Sequence, residues 1–539
     1  MSMSTLRILP VHAGAILVEL ESLERTLALL ETLQQRQLEG VEEVIPAART
    51  LLISFKPWVV SREALVAQLR ALPIDTEVAH SGELVEIPVR YDGEDLAEVA
   101  QHLGITPEEV VRRHTGSEYS VAFTGFAPGF AYLTGGDPIF NVPRRSTPRT
   151  RIPAGSVALA GTFSGVYPTA SPGGWQLLGT TPVAMWDVHR EPPALLSPGQ
   201  RVKFVDMGLT SDALTPSPLT PLPEGEGKLT DSPRPLAGEG LGVRVVATGL
   251  QAMIQDRGRL GQAGQGVSAA GAMDQTAYKT ANRLVGNPSD LPAIETLAGG
   301  LRLRSLGEQV VAVTGAEVDV TLITADGQRC AVATYRPIAM ADGDELLLGM
   351  PRRGLRCYVA ARGGLDVAPV LGSCSLDTLA QVGPALLQAG QTLAVHPVQH
   401  GYTVGAAETP PAQLPASGEV VTLDVTLGPR TDWFTPEAVA LLQSQAWEVT
   451  SQSNRVGLRL QGAESLTRAI TSELPSEGTP LGAIQVPASG QPVVFLADHP
   501  LTGGYPVIAC IAPWHLDLAG QIPVGARIQF NVCAPFAEL

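Results

Sequence analysis

Ile152-Pro-Ala-Gly-Ser-Val-Ala-Leu-Ala-Gly161, followed by Ser171-Pro-Gly-Gly-Trp-Gln-Leu-Leu178, sets short apolar runs between turn residues. Runs of this kind, bounded by Gly and Pro, read as strands. A similar phrase stands far downstream: Val486-Pro-Ala-Ser-Gly-Gln-Pro-Val-Val-Phe-Leu-Ala497 leads to Leu501-Thr-Gly-Gly-Tyr-Pro-Val-Ile508. Both follow the order apolar-Pro-Ala, turn, strand, Gly-Gly-aromatic, strand. That order predicts one β domain present twice, with Pro153 matched to Pro487.

Between the two copies, Gly208–Gly242 holds six prolines and six glycines and almost no large apolar residue beyond leucine. Such a stretch cannot bury enough surface to offset its ordering entropy, so 208–242 is expected to be a flexible linker between two modules. Before it, residues 1–80 read as a small α+β domain. Its strands lie near 14–20, 41–45 and 50–55, and its helices at Ser22–Arg36 and Ser61–Leu72. Residues 81–207 read as a β-barrel or sandwich interrupted by short helices at Asp95–Leu103 and Thr106–Arg113. After the linker, 243–400 is strand-rich with one helix near Ala272–Leu284, and 419–535 is a second β unit. The fold class is mainly β with an α+β N-terminal domain.

Of 539 residues, 37 are Lys or Arg and 53 are Asp or Glu, a net charge of −16 with a pI near 5.1. That balance disfavours nucleic acid and anionic membrane as partners. Five cysteines without C-x-x-C spacing read as free core thiols, not a disulfide framework or zinc site. No signal peptide or membrane-length apolar run is visible, so a cytoplasmic protein is expected. The only lysines are Lys56, Lys203, Lys228 and Lys279. None sits in a Met-Lys-Met context, so no covalent biotin is expected. The P-loop, the dinucleotide fingerprint and the G-x-S-x-G elbow are all missing.

Four places carry candidate chemistry. In Pro143-Arg-Arg-Ser-Thr-Pro-Arg-Thr-Arg-Ile-Pro153, Arg145, Arg149 and Arg151 share parity and can converge on an anion, or else line a solvated edge. Phe126, Phe130 and Tyr132, beside glycine turns, either wall a pocket or plug a barrel end. Gln255-Asp-Arg-Gly-Arg259 offers Asp256 with Arg257 and the backbone of Gly258, and Asp274 is placed to cap the following helix. The predicted strand ends of the last unit gather Arg430, Asn454, Arg455, Glu477, Gln485 and Asp498. Glu477 and Asp498 are the best general-base candidates there. His499 reads as structural, and no metal-ligand spacing occurs.

The strings Phe126-Ala-Pro-Gly-Phe-Ala-Tyr-Leu133, Pro143-Arg-Arg, Ile152-Pro-Ala-Gly-Ser-Val and Ser171-Pro-Gly-Gly-Trp resemble the B component of 5-oxoprolinase, also called allophanate hydrolase subunit 1. Gln255-Asp-Arg-Gly-Arg, Gly271-Ala-Met-Asp, Ala281-Asn-Arg-Leu-Val-Gly-Asn287, Ser453-Asn-Arg-Val-Gly and Leu501-Thr-Gly-Gly-Tyr resemble its C component, or allophanate hydrolase subunit 2. The resemblance implies cyclophilin-like β-barrels in both halves. It also implies action with a separate A component to open 5-oxoproline to glutamate using ATP, with Mg as its companion ion. In that scheme Asp256, Glu477 or Asp498 serves as acceptor or base. Arg145, Arg149 and Arg151 meet phosphate, and Gly173, Gly174, Arg257, Gly258, Arg430, Asn454, Arg455, Gln485, Gly503, Gly504 and Tyr505 complete the binding surface. Two other activities attach to the same families. One is the carboxyltransferase part of a urea carboxylase-like enzyme with its biotin carrier in trans. The other is non-enzymatic regulation of a sensor histidine kinase. Homo-oligomerisation stays open on sequence alone.

Overall fold

A computed structural model of the chain describes residues 6–74, 82–145, 147, 149–208, 241–398 and 403–539. Nearly all of the expected linker, including Lys228, lies outside the described residues. The N-terminal part is an antiparallel sheet in the order Arg7–His12, Ala15–Glu19, Thr50–Phe55, Val41–Pro46. Its helices, Leu23–Arg36 and Arg62–Ala71, begin where Ser22 and Ser61 accept the N–H of Arg25 and Ala64. These caps satisfy donors that a first helical turn leaves open. The helices cover one sheet face through Ile8, Ile16, Val18, Leu51 and Ile53. The opposite face presents Leu9, Val11, Leu17 and Leu52. It packs against Phe495, Leu501, Val507 and Cys510 from the far end of the chain.

Seven strands follow as a rolled sheet in the order Gln176–Thr180, Ser156–Ala160, Phe163–Val166, Ala131–Thr134, Glu118–Thr124, Arg201–Asp206, Leu84–Val89. The last two pair in parallel, and a bridge between Arg90 and Thr180 links the two edges. The C-terminal strands repeat this arrangement. They close a barrel in the order Val507–Ile511, Ala483–Gln485, Val493–Phe495, Gly457–Gln461, Trp447–Val449, Arg527–Ala534, Val420–Leu427, with Val420–Leu427 and Arg527–Ala534 again parallel. Each barrel carries the same accessory ribbon: Arg149–Ile152 with Ser171–Gly173 in one, Glu477–Gly478 with Thr502–Gly503 in the other. Two β-barrels of one topology are therefore present, as the resemblance implied.

The match between the copies differs from the one read in sequence. Gly155 and Gly482, at φ +80° and +82°, each enter the strand that pairs with two neighbours, so Pro153 corresponds to Pro480 and not to Pro487. Pro487 comes after the strand Ala483–Gln485, which is too short to register as an apolar run. The Gly-Gly-aromatic half of the echo holds, with Gly173-Gly174-Trp175 matching Gly503-Gly504-Tyr505.

Between the barrels in sequence, two sheets of six and five strands stack as a sandwich, with helix Gln275–Leu284 on the five-stranded sheet. Asp274 caps this helix as expected, accepting from Ala277 N at 2.8 Å. All five cysteines are free. Cys357, Cys374 and Cys510 are buried, whereas Cys330 and Cys533 are exposed, so the core-thiol expectation fails for two of them. No described helix is long and apolar enough to cross a membrane.

Candidate functional site

Besides the apolar sheet face, the two halves meet through turns nearly bare of side chains. Thr124 Oγ1 donates to Ala263 O at 3.0 Å, and Gly129 N to Gln265 O at 2.9 Å. A Cβ on Gly125 would stand 2.5 Å from Thr502 Oγ1, and one on Gly266 2.6 Å from Ala127 O. Glycine thus sets how near the halves come. Phe123, Phe130 and Tyr132 are buried against Tyr167 and Trp175, so the aromatic run plugs the first barrel. Phe126 is half-buried at φ +65°, in the turn that faces the second half.

Beside this seam run the two matched Gly-Gly-aromatic turns, joined by residues 143–145. Arg145 N donates to Gly174 O at 2.8 Å, and Gln176 Nε2 to Pro143 O at 3.3 Å. Arg144 crosses to the second half, its Nε 3.0 Å from Glu473 Oε1 and its Nη1 against Gly504. On the far side Gln485 Nε2 donates to Tyr505 O at 3.2 Å, and the Arg468 guanidinium lies 5.6 Å from the Tyr505 ring centre. Among the described residues, twelve buried side-chain polar atoms have no partner. Five of them, Arg145 Nε, Ser171 Oγ, Gln176 Oε1, Arg468 Nε and Thr502 Oγ1, belong to these turns and their neighbours. Unpaired buried groups are costly, so their concentration makes this seam the candidate site for a guest.

The predicted arginine triplet does not converge on open space. Arg145 and Arg149 both clamp Asp95, with Nη1 of Arg145 at 2.7 Å and Nη1 and Nη2 of Arg149 at 2.9 and 2.8 Å. Arg151 is exposed and has no ion pair among the described residues. The parity argument needs a continuous strand, but the strand begins only at Arg149. Burial alone would raise the Asp95 carboxyl, yet hydrogen bonds from Arg149 and Leu177 hold it below its ordinary value. In the second barrel Glu477 sits at the place of Arg149, opposite Gly503 of its ribbon, and Arg430 at the place of Asp95. Glu477 is 7% exposed and forked by Arg430, whose Nη1 also reaches Glu19 at 2.9 Å. Burial outweighs Arg430 and leaves the Glu477 carboxyl above its usual range.

Asp256, Arg455 and Asp498 form a second group, between the sandwich and the second barrel. Asp256 accepts from Gly258 N, Ser373 Oγ, Cys374 N and Ser375 Oγ, all within 2.6–2.8 Å. Gly258 is at φ +95°, where a Cβ would strike Ala269 O, and Arg257 is exposed. Arg455 forks Asp498 through Nε and Nη2 at 2.9 Å each and also bonds Glu295 and Gly271 O. Thr378 N and Oγ1 donate to Asp498 at 2.9 and 2.6 Å. Asn454 Oδ1 turns back onto Val456 N. All three carboxylates expected to act as bases therefore hold full sets of protein donors. Sequence reasoning misses Arg144, Glu473, Arg468 and Thr502. The alternation of Arg144 with Arg145 is a signal for the first, Thr502 stands inside the Leu501-Thr-Gly-Gly-Tyr motif, and nothing local marks Glu473 or Arg468. No cluster of three or more metal-binding side chains occurs among the described residues.

Residues 6–196 match the family model described as carboxyltransferase domain, subdomain C and D, and residues 265–532 the model described as subdomain A and B. The chain is 36% identical to the C component of 5-oxoprolinase from Escherichia coli K12 over 295 residues, covering 54% of this chain and 91% of that protein. It is 41% identical to the B component of 5-oxoprolinase from Bacillus subtilis 168 over 188 residues, 32% of this chain and 78% of that one. A crystal structure of the protein TTHA0988 superposes with a TM-score of 0.80 at 35% identity, over 96% of this chain and 99% of that one. The urea amidolyase of Saccharomyces cerevisiae is 33% identical over 306 residues, 53% of this chain and 16% of its own length. Two barrels of one topology, docked through glycine turns and matched along both halves, place the chain in the carboxyltransferase-domain family to which the B and C components of 5-oxoprolinase belong.

Proposed function

We propose that this chain supplies, in one polypeptide, the B and C functions of an ATP-dependent 5-oxoprolinase and acts with a separate A-type component. The observation that carries the reading is the seam itself: relatives of both components meet here around Arg144 and a concentration of unpaired buried polar atoms. A lactam carbonyl is a poor electrophile, and transfer of phosphate to its oxygen makes ring opening accessible to water. Such a step needs fixed donors around developing negative charge, which Arg144, Arg468 and the turns at Gly173-Gly174 and Gly503-Gly504 offer. In this reading Asp256, Glu477 and Asp498 position loops and do not themselves take a proton. Arg145 and Arg149 likewise hold Asp95, and only Arg144 of that run meets an anion. The test is 5-oxoproline-dependent ADP release by the purified chain with an A-type component, and Arg144→Ala should lower it at least tenfold. ADP release that ignores 5-oxoproline would overturn the assignment.

A second reading is favoured by the description of both family models as carboxyltransferase and by the urea amidolyase match. It makes the chain a carboxyltransferase that receives the carboxyl group from a biotin carrier in trans. Carboxylation of urea from added carboxybiotin, without ADP release, would select it.

A further inference from the structure

The first barrel carries a cavity that the reading above does not use. Its volume is about 90 Å³, and it is lined by Tyr119, Thr134, Asp137, Phe140, Thr162 and Ser164, among others. Behind its wall runs a chain of hydrogen bonds through a fully buried imidazole. His114 Nδ1 lies 2.7 Å from Tyr91 Oη, and Nε2 lies 3.0 Å from Ser164 Oγ. The ring stacks on Phe204 with centres 4.4 Å apart. Burial drives its pKa down to about 3, so the imidazole is neutral and has one donor and one acceptor to share. With Tyr91 donating to Nδ1, Nε2–H points at Ser164. The Ser164 hydroxyl is then left with only a distant acceptor, Ala158 O at 3.4 Å. It is the loose end of the chain, on the cavity wall.

Two further observations point to an occupant. The Tyr119 hydroxyl is buried without any partner, at a residue 2% exposed. It backs onto Gly136, where a Cβ would lie 2.8 Å from that oxygen and 2.4 Å from the ring. The lining offers hydroxyls that can donate and accept, and apolar edges from Phe140 and Leu159. Its single charged group is Asp137, already held by Arg113 at 3.2 Å and by Ile139 N. No cation lines the space, which disfavours anions. The volume is far below that of a cofactor pocket.

The geometry points to a site for a small neutral carboxamide, of the size of acetamide or 2-pyrrolidinone. Its carbonyl is met by the Ser164 and Tyr119 hydroxyls, and its N–H by a threonine Oγ or the Asp137 carboxylate. It is a binding site only, and no bond is made or broken there.

The probes are acetamide and 2-pyrrolidinone, titrated against the full chain and followed by calorimetry and thermal shift, with 5-oxoproline as the anionic control. Both neutral amides should bind saturably, and the anion should not bind here. Ser164→Ala should weaken the amides about tenfold, the loss of one hydrogen bond to a buried group. Tyr119→Phe should weaken them similarly without lowering the ligand-free melting temperature, and should raise it if anything, since the buried hydroxyl it removes has no protein partner. Thr162→Val, at an exposed rim position, tests the site without touching the core. Absence of saturable amide binding, or amide binding equal in wild type and all three variants, would overturn the site. So would 5-oxoproline binding that Ser164→Ala weakens equally.

Discussion

Asp377 lies 1% exposed between sandwich and second barrel. It accepts from Leu379 N, Ala380 N and Ser268 Oγ. Burial, and then the charge of Asp498, push its carboxyl up to about 6 from 3.8. A raised acid pKa means the native state holds the proton more tightly than the unfolded chain does. Ionisation therefore removes stability as pH climbs from about 4 to about 6, after which the loss is complete. Asp377→Asn keeps the acceptor for Leu379 and Ala380 and can donate to Ser268 Oγ, yet never ionises. Denaturant unfolding at pH 4 and pH 7 should show the variant gaining on wild type by about 2 kcal/mol between the two. Equal changes with pH in both proteins would show that Asp377 is not the titrating group. The same scale shows why sequence misplaces acids. Asp256 and Asp498 sit at strand ends, as a rim base would, but apart from Gly258 N their donors come from residues 373–375, 378 and 455. No local pattern announces partners that far along the chain. Arg144 is missed for a related reason, because parity holds only within a strand and Arg144 precedes one.

Among elements, helix starts are legible because their determinants are local: Ser22 and Asp274 cap as read. Ser61 and Thr106, read as the first residues of their helices, also cap, whereas Asp95 begins its helix without a side-chain cap. The duplication is legible too, but its anchor slips, since Pro and Gly recur at every turn of such barrels. What cannot be read is a sign reversal between the copies. Asp95 N donates to Leu177 O and Arg430 N to Val507 O, with Leu177 and Val507 at matching places beside a bulge. Arg149 pairs with Gly173 and Glu477 with Gly503. The loop after the first strand is thus strapped to the accessory ribbon by Asp95 and Arg149 in one barrel, and by Arg430 and Glu477 in the other. An ion pair kept at one place with its charges exchanged is what a strap requires, and a catalytic carboxylate has no reason to obey it. Removing one partner of a buried pair leaves the other charge short of compensation, here with Arg430 keeping only Glu19. Glu477→Gln should cost about 3 kcal/mol in chemical unfolding, and the folded enzyme should retain its rate constant per active molecule. Normal stability with an abolished rate constant would make Glu477 the base after all.

For the whole molecule, the decisive feature is a sheet with two apolar faces. Ile8-Leu9-Pro10-Val11, Ala15-Ile-Leu-Val18 and Leu51-Leu-Ile53 are continuous apolar runs, the signature of strands covered on both sides. Two helices cover one face, and the second-half barrel covers the other. That signal is present in the sequence, but it does not say what the second cover is. Charges seal the same contact: Glu19 is held by Arg430 and Arg7, and Arg7 also reaches Asp432 and Glu538. Burial works against the Glu19 carboxyl, yet those arginines pull it down to about 2. Each buried Leu or Val on the covered face contributes about 1.5–3 kcal/mol, so docking of the halves does not depend on their covalent connection. A protease site inserted within 209–240 and cut in the folded protein should leave both pieces eluting together in gel filtration. Mutating Leu17 and Leu52 to Asp should separate them after the same cut. Residues 1–208 produced alone would expose Leu9, Val11, Leu17 and Leu52 together, and they should aggregate or require the second half for solubility. Pieces that part immediately on cleavage, each monodisperse, would show that the two barrels meet only because they are tethered, and the seam around Arg144 would lose its claim to be a site.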